Sequence, residues 1–280
     1  MANDLKNMRL AFIGCGVMGE SMVAGLLRKE IVERTGISAS HPRENRRQEL
    51  KEKYGISVFE GNADAAKTVA GVGNSAIVLC VKPQRLANVL NDLNGVLSAD
   101  QLVVSIVAGA TIDALSTALG TKRIVRAMPN TPSQIGAGIT AWTCTDAVGD
   151  RERAHVKELL AALGKELFVE TENMIDMATS LSATGPTYIF MVMEALTDAG
   201  VHLGFSRDMA KELVQETMLG SVRFAMESHK HPAELRNMVT SPGGTSAEAI
   251  YQMEKGTLRT VLSKAVYAAY KRAVSLGEKK

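Results

Sequence analysis

One short turn near the amino terminus has the residue types and the spacing that the pyrophosphate of a dinucleotide requires. It consists of Gly14, Cys15, Gly16, Val17, Met18 and Gly19, with glycine at the first, third and sixth places. An apolar run, residues 10–13, precedes the turn, and residues 20–29 have the apolar spacing of a helix. Glycines in this context let a phosphate approach the backbone and rest on the positive end of the helix. The alternative is a tight glycine turn that binds nothing.

A second stretch has the composition to bind an anion through its backbone. Residues 240–246 combine a proline and two glycines with four hydroxyl residues, and a readily helical segment, 247–255, follows. The candidate substrate ligands in this loop are Ser241, Gly243, Gly244, Thr245 and Ser246. Unpaired NH groups at a helix amino terminus attract an anion, and a carboxylate fits better than a phosphate because the loop contains no lysine or arginine. The alternative is a helix start that is capped by hydroxyl groups.

The end of the second predicted strand favours NADPH over NADH. Enzymes that bind NADH usually have an acidic residue there, which binds the free 2′-hydroxyl of the adenosine ribose. This chain has Ser40 and Arg43 instead, a pair that suits a 2′-phosphate. NADH is the alternative cofactor, with Arg43 as an ordinary surface residue. A helix that is predicted to be solvated carries the other basic residues nearby: Arg46, Arg47, Lys51 and Lys53.

Three further strand ends carry candidate cofactor contacts, because ligands of doubly wound sheets bind outside the carboxyl ends of the strands. The candidates are Val81, Lys82 and Pro83 after the fourth strand, Ala108 and Gly109 after the fifth, and Pro129 and Asn130 after the sixth. We interpret Lys82 as an anchor or a structural residue, with a catalytic acid as the alternative. The two prolines within residues 128–132 predict a rigid, extended loop.

The pattern of the first half predicts an α/β fold with a doubly wound, mostly parallel Rossmann sheet, because apolar runs alternate there with helical stretches. The runs are 10–13, 36–40, 56–59, 76–81, 102–107 and 123–128. A further pair, 139–144 and 165–169, flanks a helical stretch and is predicted to extend the sheet. We place an NAD(P)-binding domain at residues 1–170, followed by an all-α substrate-binding and dimerisation domain at residues 171–280.

Long helices dominate the second half of the chain. Residues 187–203 are apolar nearly all round and are predicted to form a buried helix rather than a membrane span. Ser206 can cap the next helix, and the last helix is predicted to stop at Gly277. Because this half has more apolar surface than its own small core needs, we expect a partner subunit to cover part of it.

Composition limits the classes of partner. The formal charge of the 280-residue chain is +2, which gives no reason to expect nucleic acid or a membrane surface as a partner. Three scattered cysteines form no CxxC pair and the five histidines have no metal-ligand spacing, so we expect reduced thiols and no metal. No signal peptide or membrane-spanning stretch is recognisable, which makes the cytoplasm the expected location.

Taken in order, the motifs resemble those of pyrroline-5-carboxylate reductase, the enzyme of the last step of proline biosynthesis. They are GCGVMG, VKPQ, MPNTP, ATGPTYIF and the loop SPGGT, which follows HPAELRNMVT. The motifs run in the family's order from residue 14 to about residue 255, and the SPGGT loop with its upstream HP is the most specific of them. The resemblance implies an NAD(P)H-binding sheet domain and a helical domain that interlocks two subunits. In some members such dimers assemble into larger rings.

The same resemblance implies roles for individual residues. It implies that the loop 241–246 holds the substrate carboxylate and that Asn62 lies near the adenosine ribose. It places the nicotinamide near Ala108, Gly109, Pro129 and Asn130. Ser246 stands where the family has a threonine whose hydroxyl lies near the ring nitrogen, and residues 183–187 and 237–238 also depart from residues frequent in the family.

The predicted reaction is the reduction of a cyclic imine, which requires a hydride on the ring carbon and a proton on the nitrogen. An imine of moderate basicity can arrive already protonated, so hydroxyl and NH groups that orient it are sufficient. Ser246, or Thr245 if the register shifts by one, is expected to hydrogen-bond the ring nitrogen. One alternative is a 3-hydroxyacid-type NADP dehydrogenase, which would need a lysine such as Lys211 or Lys264 as proton donor. The other is a non-catalytic NADP(H)-sensing protein.

Overall fold

A computed structural model describes residues 2–278 of the chain, and it contains one eight-stranded sheet. The strands are β1 Arg9–Ile13, β2 Ile37–Ser40, β3 Ser57–Phe59, β4 Ser75–Leu79, β5 Leu102–Ser105, β6 Ile124–Met128, β7 Gly138–Cys144 and β8 Gly164–Phe168. Their order in the sheet is β3-β2-β1-β4-β5-β6-β7-β8. All neighbouring strands pair in parallel except β6 and β7. The predicted doubly wound, mostly parallel sheet is confirmed, including its extension by the last two strands.

Helices cover both faces of this sheet. They are α1 Ala2–Lys6, α2 Val17–Arg28, α3 Glu44–Tyr54, α4 Asn62–Lys67, α5 Leu86–Leu93, α6 Ile112–Leu119, α7 Asp150–Ala161 and α8 Asn173–Ala178. Alternate side chains of β1 enter opposite layers: Leu10 and Phe12 join the core under α2, α3 and α7, whereas Ala11 and Ile13 join the core under α4, α5 and α6. This double coverage explains why the strands are continuous aliphatic runs in the sequence.

The chain divides into two compact units. The sheet unit comprises Met1–Thr184 with Ala269–Lys280, and the helical unit comprises Gly185–Ala268. This division lies beyond the boundary that we predicted at residue 170, because α8 is tied to the sheet by a buried arginine. The Arg126 guanidinium on β6 lies 2.9 Å from Glu172 Oε1 and 2.6 Å from Asp176 Oδ1.

The helical unit contains α9 Gly185–His202, α10 Arg207–Ser228, α11 Pro232–Met238, α12 Thr245–Lys255 and the first part of α13 Leu258–Glu278. The predicted cap at Ser206 is confirmed, because its hydroxyl accepts a hydrogen bond from the Met209 N–H at 3.3 Å. α9 and α10 approach closely, since a Cβ added at Gly200 would lie 2.9 Å from the Cβ of Ala210. Ala210 is the only buried residue of Gly185–Ala268, all of which the structure describes.

The prediction of a buried helix at residues 187–203 needs correction for the single chain. α9 forms as expected, but none of its residues is buried, and Phe190 and Met191 expose more than half of their surface. The apolar side chains that suggested burial are therefore only partly covered within their own subunit. Among the described residues, no helix combines the length and the apolar character that crossing a membrane requires.

Candidate active site

The glycine turn lies where the sheet reverses its strand order, between β1 and β4, which is the usual ligand-binding position in a doubly wound sheet. Gly14 has a φ of +77°, and a Cβ there would overlap the side chain of Val81, so this position requires glycine. A Cβ at Gly19 would lie 2.7 Å from the Sγ of Cys80, so α2 packs directly against the chain after β4. These are the constraints that the spacing of the glycines predicts.

The turn leaves backbone donors available to an anion. Gly16 is the N-cap of α2 and provides no side-chain cap. The N–H groups of Val17, Met18 and Gly19 have no hydrogen-bond acceptor among residues 2–278, whereas the Glu20 N–H donates to the Gly16 carbonyl at 2.9 Å. Three free N–H groups at a helix amino terminus fit the pyrophosphate of a dinucleotide.

Two thiols, the buried Cys15 and the half-buried Cys80, lie beside this turn without adding charge to it. Burial raises the pKa of the Cys15 thiol to about 12, and it also raises the pKa of Cys80 well above its ordinary value. Both side chains therefore stay neutral at physiological pH. A neutral lining does not repel a diphosphate, so the thiols are compatible with the predicted ligand.

Ser40 lies at the end of the second strand, as predicted, and its side chain is bonded inside the sheet unit. It is fully buried at the end of β2, where its hydroxyl accepts from the Gly14 N–H at 3.0 Å and donates to Asn62 Oδ1 at 2.7 Å. The hydroxyl is thus engaged inside the sheet unit, where it braces the glycine turn. A direct contact between Ser40 and a 2′-phosphate stays a prediction.

Arg43 is the free cation at the tip of β2. It is exposed, and its guanidinium has no hydrogen-bond or ion-pair partner in the described part of the chain. The neighbouring arginines are engaged instead: Arg46 pairs with Glu20 on α2, and Arg47 Nη2 lies 3.2 Å from Glu60 Oε2. These two side chains are largely shielded from solvent, whereas Lys51 and Lys53 on the same helix are exposed, as predicted for a solvated helix. Of the three arginines, Arg43 is the one left to meet an anion at this tip.

Glu20 organises the helices behind the turn. Its carboxylate contacts Arg46 and accepts hydrogen bonds from Lys53 Nζ at 2.9 Å and from the Tyr54 hydroxyl at 2.7 Å. Burial by itself would raise the pKa of Glu20, but the three hydrogen bonds outweigh it and lower the pKa to about 2. The carboxylate is therefore charged at neutral pH and holds α3 against the first turn of α2.

The other predicted cofactor residues lie at the same edge of the sheet, because they follow the parallel strands β4, β5 and β6. Lys82 is exposed directly before the 3-10 turn Pro83–Arg85. Gly109 has a φ of +75°, and a Cβ there would lie 2.7 Å from the Cβ of Leu276 at the end of α13. Asn130 Oδ1 accepts from the Ile139 N–H at 2.9 Å, which ties the loop after β6 to the start of β7.

The loop that is predicted to bind the substrate, residues 240–246, lies in the helical unit and leads into α12. Gly243 has a φ of +69°, and Gly244 is the N-cap of α12 without a side-chain cap. The N–H groups of Thr245 and Ser246 have no acceptor among the described residues, whereas the Ala247 N–H donates to the Gly244 carbonyl. The alternative of a hydroxyl-capped helix start is not what the structure contains, and the free donors suit a carboxylate.

Sequence reasoning missed three side chains that join separate elements of the sheet unit. Glu20, Asp92 and Arg126 each bond to residues far away in the chain, so neither local periodicity nor a motif indicates them. Only Glu20 had a weak signal in the sequence: it is an acidic residue in the first turn of α2, and a basic cluster that includes Arg46 follows about 26 positions later. Among the described residues, no group of His, Cys, Asp and Glu is arranged to hold a metal ion.

Two family models match the chain. Residues 9–109 match "NADP oxidoreductase coenzyme F420-dependent", and residues 172–276 match "Pyrroline-5-carboxylate reductase dimerisation". A pyrroline-5-carboxylate reductase of Synechocystis is 36% identical over 98% of this chain and 100% of its own. One from Pseudomonas aeruginosa is 38% identical, with 96% of this chain and 97% of its own covered. The dimerisation match indicates a homo-oligomer.

Solved structures give the same result. Pyrroline carboxylate reductase of Plasmodium falciparum, crystallised with NADP bound, aligns with a TM-score of 0.87 at 29% identity, covering 98% of this chain and 99% of that one. Pyrroline-5-carboxylate reductase from Coxiella burnetii aligns with a TM-score of 0.85 at 35% identity, covering 97% and 98%. The resemblance stated from the motifs is confirmed: the chain belongs to the pyrroline-5-carboxylate reductase family of NAD(P)H-dependent oxidoreductases, which act on CH–NH groups.

Proposed function

We propose that this protein reduces 1-pyrroline-5-carboxylate to L-proline, with NADPH as the reductant and NADH as the alternative donor. The observation that carries the proposal is the presence of two helix amino termini with free N–H groups and no side-chain cap. One begins at Gly16 and suits a diphosphate, and the other begins at Gly244 and suits a carboxylate.

On the cofactor side, the residues at the carboxyl ends of the strands fit a dinucleotide. The free amides of residues 17–19 would hold the diphosphate, and Arg43 would take the 2′-phosphate of NADPH because its guanidinium has no other partner among the described residues. Ser40 would act through the turn that it braces. Asn62 would lie at the adenosine ribose and Val81, Lys82 and Pro83 beside the diphosphate. The loops with Ala108, Gly109, Pro129 and Asn130 would border the nicotinamide.

On the substrate side, Ser241, Gly243, Gly244, Thr245 and Ser246 would hold the carboxylate and the ring. NAD(P)H, when bound, supplies the hydride for the ring carbon. The protein residues contribute orientation: the amides at the start of α12 fix the carboxylate, and the Ser246 hydroxyl hydrogen-bonds the ring nitrogen. The loop contains no carboxylate, histidine or lysine, so we assign the nitrogen's proton to the imine as it arrives from water.

The proposal extends to organisation. We assign residues 1–170 to NAD(P) binding and residues 171–280 to substrate binding and dimerisation, in a homodimer that can join into a ring of dimers. The exposed apolar side chains of α9 and α10 support a dimer contact in this region. We also propose the cytoplasm as its location, which suits three cysteines that are all free.

The test is substrate-dependent oxidation of NADPH by the purified protein. We expect turnover with 1-pyrroline-5-carboxylate and none with 3-hydroxyacids or the corresponding keto acids. Turnover with the hydroxy acids would favour the dehydrogenase alternative, for which Lys211 and Lys264 are exposed candidates. Binding of NADPH without turnover of any of these substrates would favour the sensor.

Ser246→Ala tests the substrate loop. We expect kcat to fall about tenfold, the cost of one hydrogen bond to the reacting ring, while the Kd for NADPH stays unchanged. Ser246→Thr keeps the hydroxyl and is the matched control, for which we expect near wild-type turnover. Thr245→Ala examines the alternative register. Equal turnover in wild type and Ser246→Ala would remove Ser246 from the mechanism.

A further inference from the structure

A chain of side-chain hydrogen bonds runs from the glycine turn to the surface of the sheet unit. The Gly14 N–H donates to Ser40 Oγ at 3.0 Å, and the Ser40 hydroxyl donates to Asn62 Oδ1 at 2.7 Å. Asn62 Nδ2 then donates to Asp92 Oδ2 at 2.8 Å. Three bonds thus connect the turn after β1 with β2, α4 and α5, and every polar atom along the path has a partner.

The direction of these bonds is determined by their two ends. A backbone N–H can only donate, and an ionised carboxylate can only accept. Ser40 is fully buried, so no water can replace Asn62 as the acceptor of its hydroxyl proton. The Asn62 amide is therefore held with its oxygen toward Ser40 and its NH₂ group toward Asp92. With the amide flipped, its oxygen would face the carboxylate and the Ser40 proton would lose its acceptor.

We infer that Asp92 is a positioning residue for the cofactor: it orients the Asn62 amide and, through Ser40, the first glycine of the phosphate-binding turn. The inference rests on the proposed function, in which Asn62 lies at the adenosine ribose and the turn binds the diphosphate. Asp92 itself is exposed near the end of α5, and its contact toward the glycine turn is the bond from Asn62. It acts on the cofactor only through Asn62.

The inference predicts that loss of Asp92 and loss of Arg43 change the affinities for the two cofactors in different ways. The ribose and the diphosphate are common to NADPH and NADH, so loss of Asp92 weakens the binding of both cofactors by the same factor. Loss of Arg43, which is proposed to bind the 2′-phosphate, weakens the binding of NADPH alone. Asp92→Asn keeps an acceptor oxygen for Asn62 Nδ2 and therefore keeps the affinity for both cofactors, whereas Asp92→Ala removes the acceptor and lowers both affinities.

The experiment is a fluorescence titration of the full-length protein with NADPH and with NADH, in the absence of imine substrate. We expect Asp92→Ala to raise both Kd values about fivefold, the effect of one hydrogen bond, and Asp92→Asn to remain within about twofold of wild type. Asp146→Ala removes an exposed carboxylate elsewhere in the sheet unit and is the matched control, with unchanged Kd values. In turnover assays, Asp92→Ala raises KM for NADPH and leaves kcat close to the wild-type value.

A double-mutant cycle gives the decisive comparison. In an Asn62→Ala background, Asp92→Ala has no further effect on either Kd, because the residue that it orients is gone. Unchanged affinity in Asp92→Ala, equal loss in Asp92→Asn, or the same loss in both backgrounds would overturn the inference. These readouts need only cofactor binding, so a protein that binds NADPH but fails to reduce 1-pyrroline-5-carboxylate would refute the proposed function and leave this test intact.

Discussion

The sheet unit buries its apolar side chains within one subunit, whereas the helical unit leaves most of its own exposed. All the largest fully buried side chains, from Met8 to Arg126, belong to the sheet unit. In Gly185–Ala268 only Ala210 is buried, and large apolar residues such as Phe190, Val222 and Phe224 remain half or more exposed. The first unit is therefore stabilised by contacts inside the chain, whereas the second has an exposed apolar surface of the kind that another copy covers in a homo-oligomer.

This difference has a measurable consequence. Damage to the sheet unit should lower the free energy of unfolding at any protein concentration, because the lost contacts are intramolecular. Damage to the exposed helical surface should appear as weaker association, and its effect on apparent stability should depend on protein concentration.

The largest effect is expected from Arg126→Ala in the sheet unit. Its removal leaves Glu172 and Asp176 without their shared cation, and we expect a loss of about 3 kcal/mol, at the lower end for a broken buried ion pair because Glu172 is partly exposed. Urea unfolding at two protein concentrations measures it, and the loss should be equal at both. Arg123→Ala, which breaks more exposed pairs with Asp100 and Glu152, is the control and should cost about 1 kcal/mol or less. Similar losses in both variants would contradict the central role of Arg126.

The next effect is expected from the double variant Phe190→Ala, Phe224→Ala in the helical unit. If a second copy covers the exposed halves of these rings, their removal weakens association by about 2 kcal/mol, or about 30-fold in Kd. Sedimentation equilibrium measures this change. Ile135→Ala removes an exposed apolar side chain from the sheet unit and should leave association unchanged. A double variant that assembles as tightly as wild type would break the comparison between the two units.

The smallest effect concerns acid stability, which we assign to the sheet unit. The pKa of Glu20 is lowered from 4.5 to about 2, so its contribution to stability is complete above pH 4.5 and is lost as the pH falls toward 2. Glu20→Gln should cost on the order of 1 to 2 kcal/mol at pH 7 and almost nothing near pH 2. Urea unfolding from pH 7 to pH 2 measures the difference. Glu158→Gln, at an exposed position, is the control; a Glu20→Gln penalty that does not shrink at low pH would contradict the assignment.

Much of the sheet unit could be predicted because its signals are local. Continuous aliphatic runs marked β1, β4, β5 and β6, and the glycine spacing marked the turn into α2. The reversed direction of β7 also had a readable cause, since only residues 129–137 separate it from β6 and a parallel connection needs a dozen residues or more. Local pattern and chain length were sufficient for these features.

The remaining features depend on contacts between distant parts of the chain. The type of residue at position 40 suggested a phosphate ligand, but its role depends on Gly14 and Asn62, which are brought to it by other elements. The exposure of α9 could not be predicted either, because an apolar helix has the same sequence pattern whether its own subunit or another one covers it. For the same reason Asp92 and Arg126 had no signal in the sequence.

α13 crosses the division between the two units, and this determines when the sheet unit can be completed during synthesis. Leu276 packs against Gly109 in the loop after β5, yet it leaves the ribosome only after the whole of Gly185–Ala268 has been translated. A nascent chain that ends before Ala269 can already pair the strands of the sheet. The loop that we propose to border the nicotinamide would still lack this packing partner, so full affinity for the cofactor should develop late, after the helical unit has emerged.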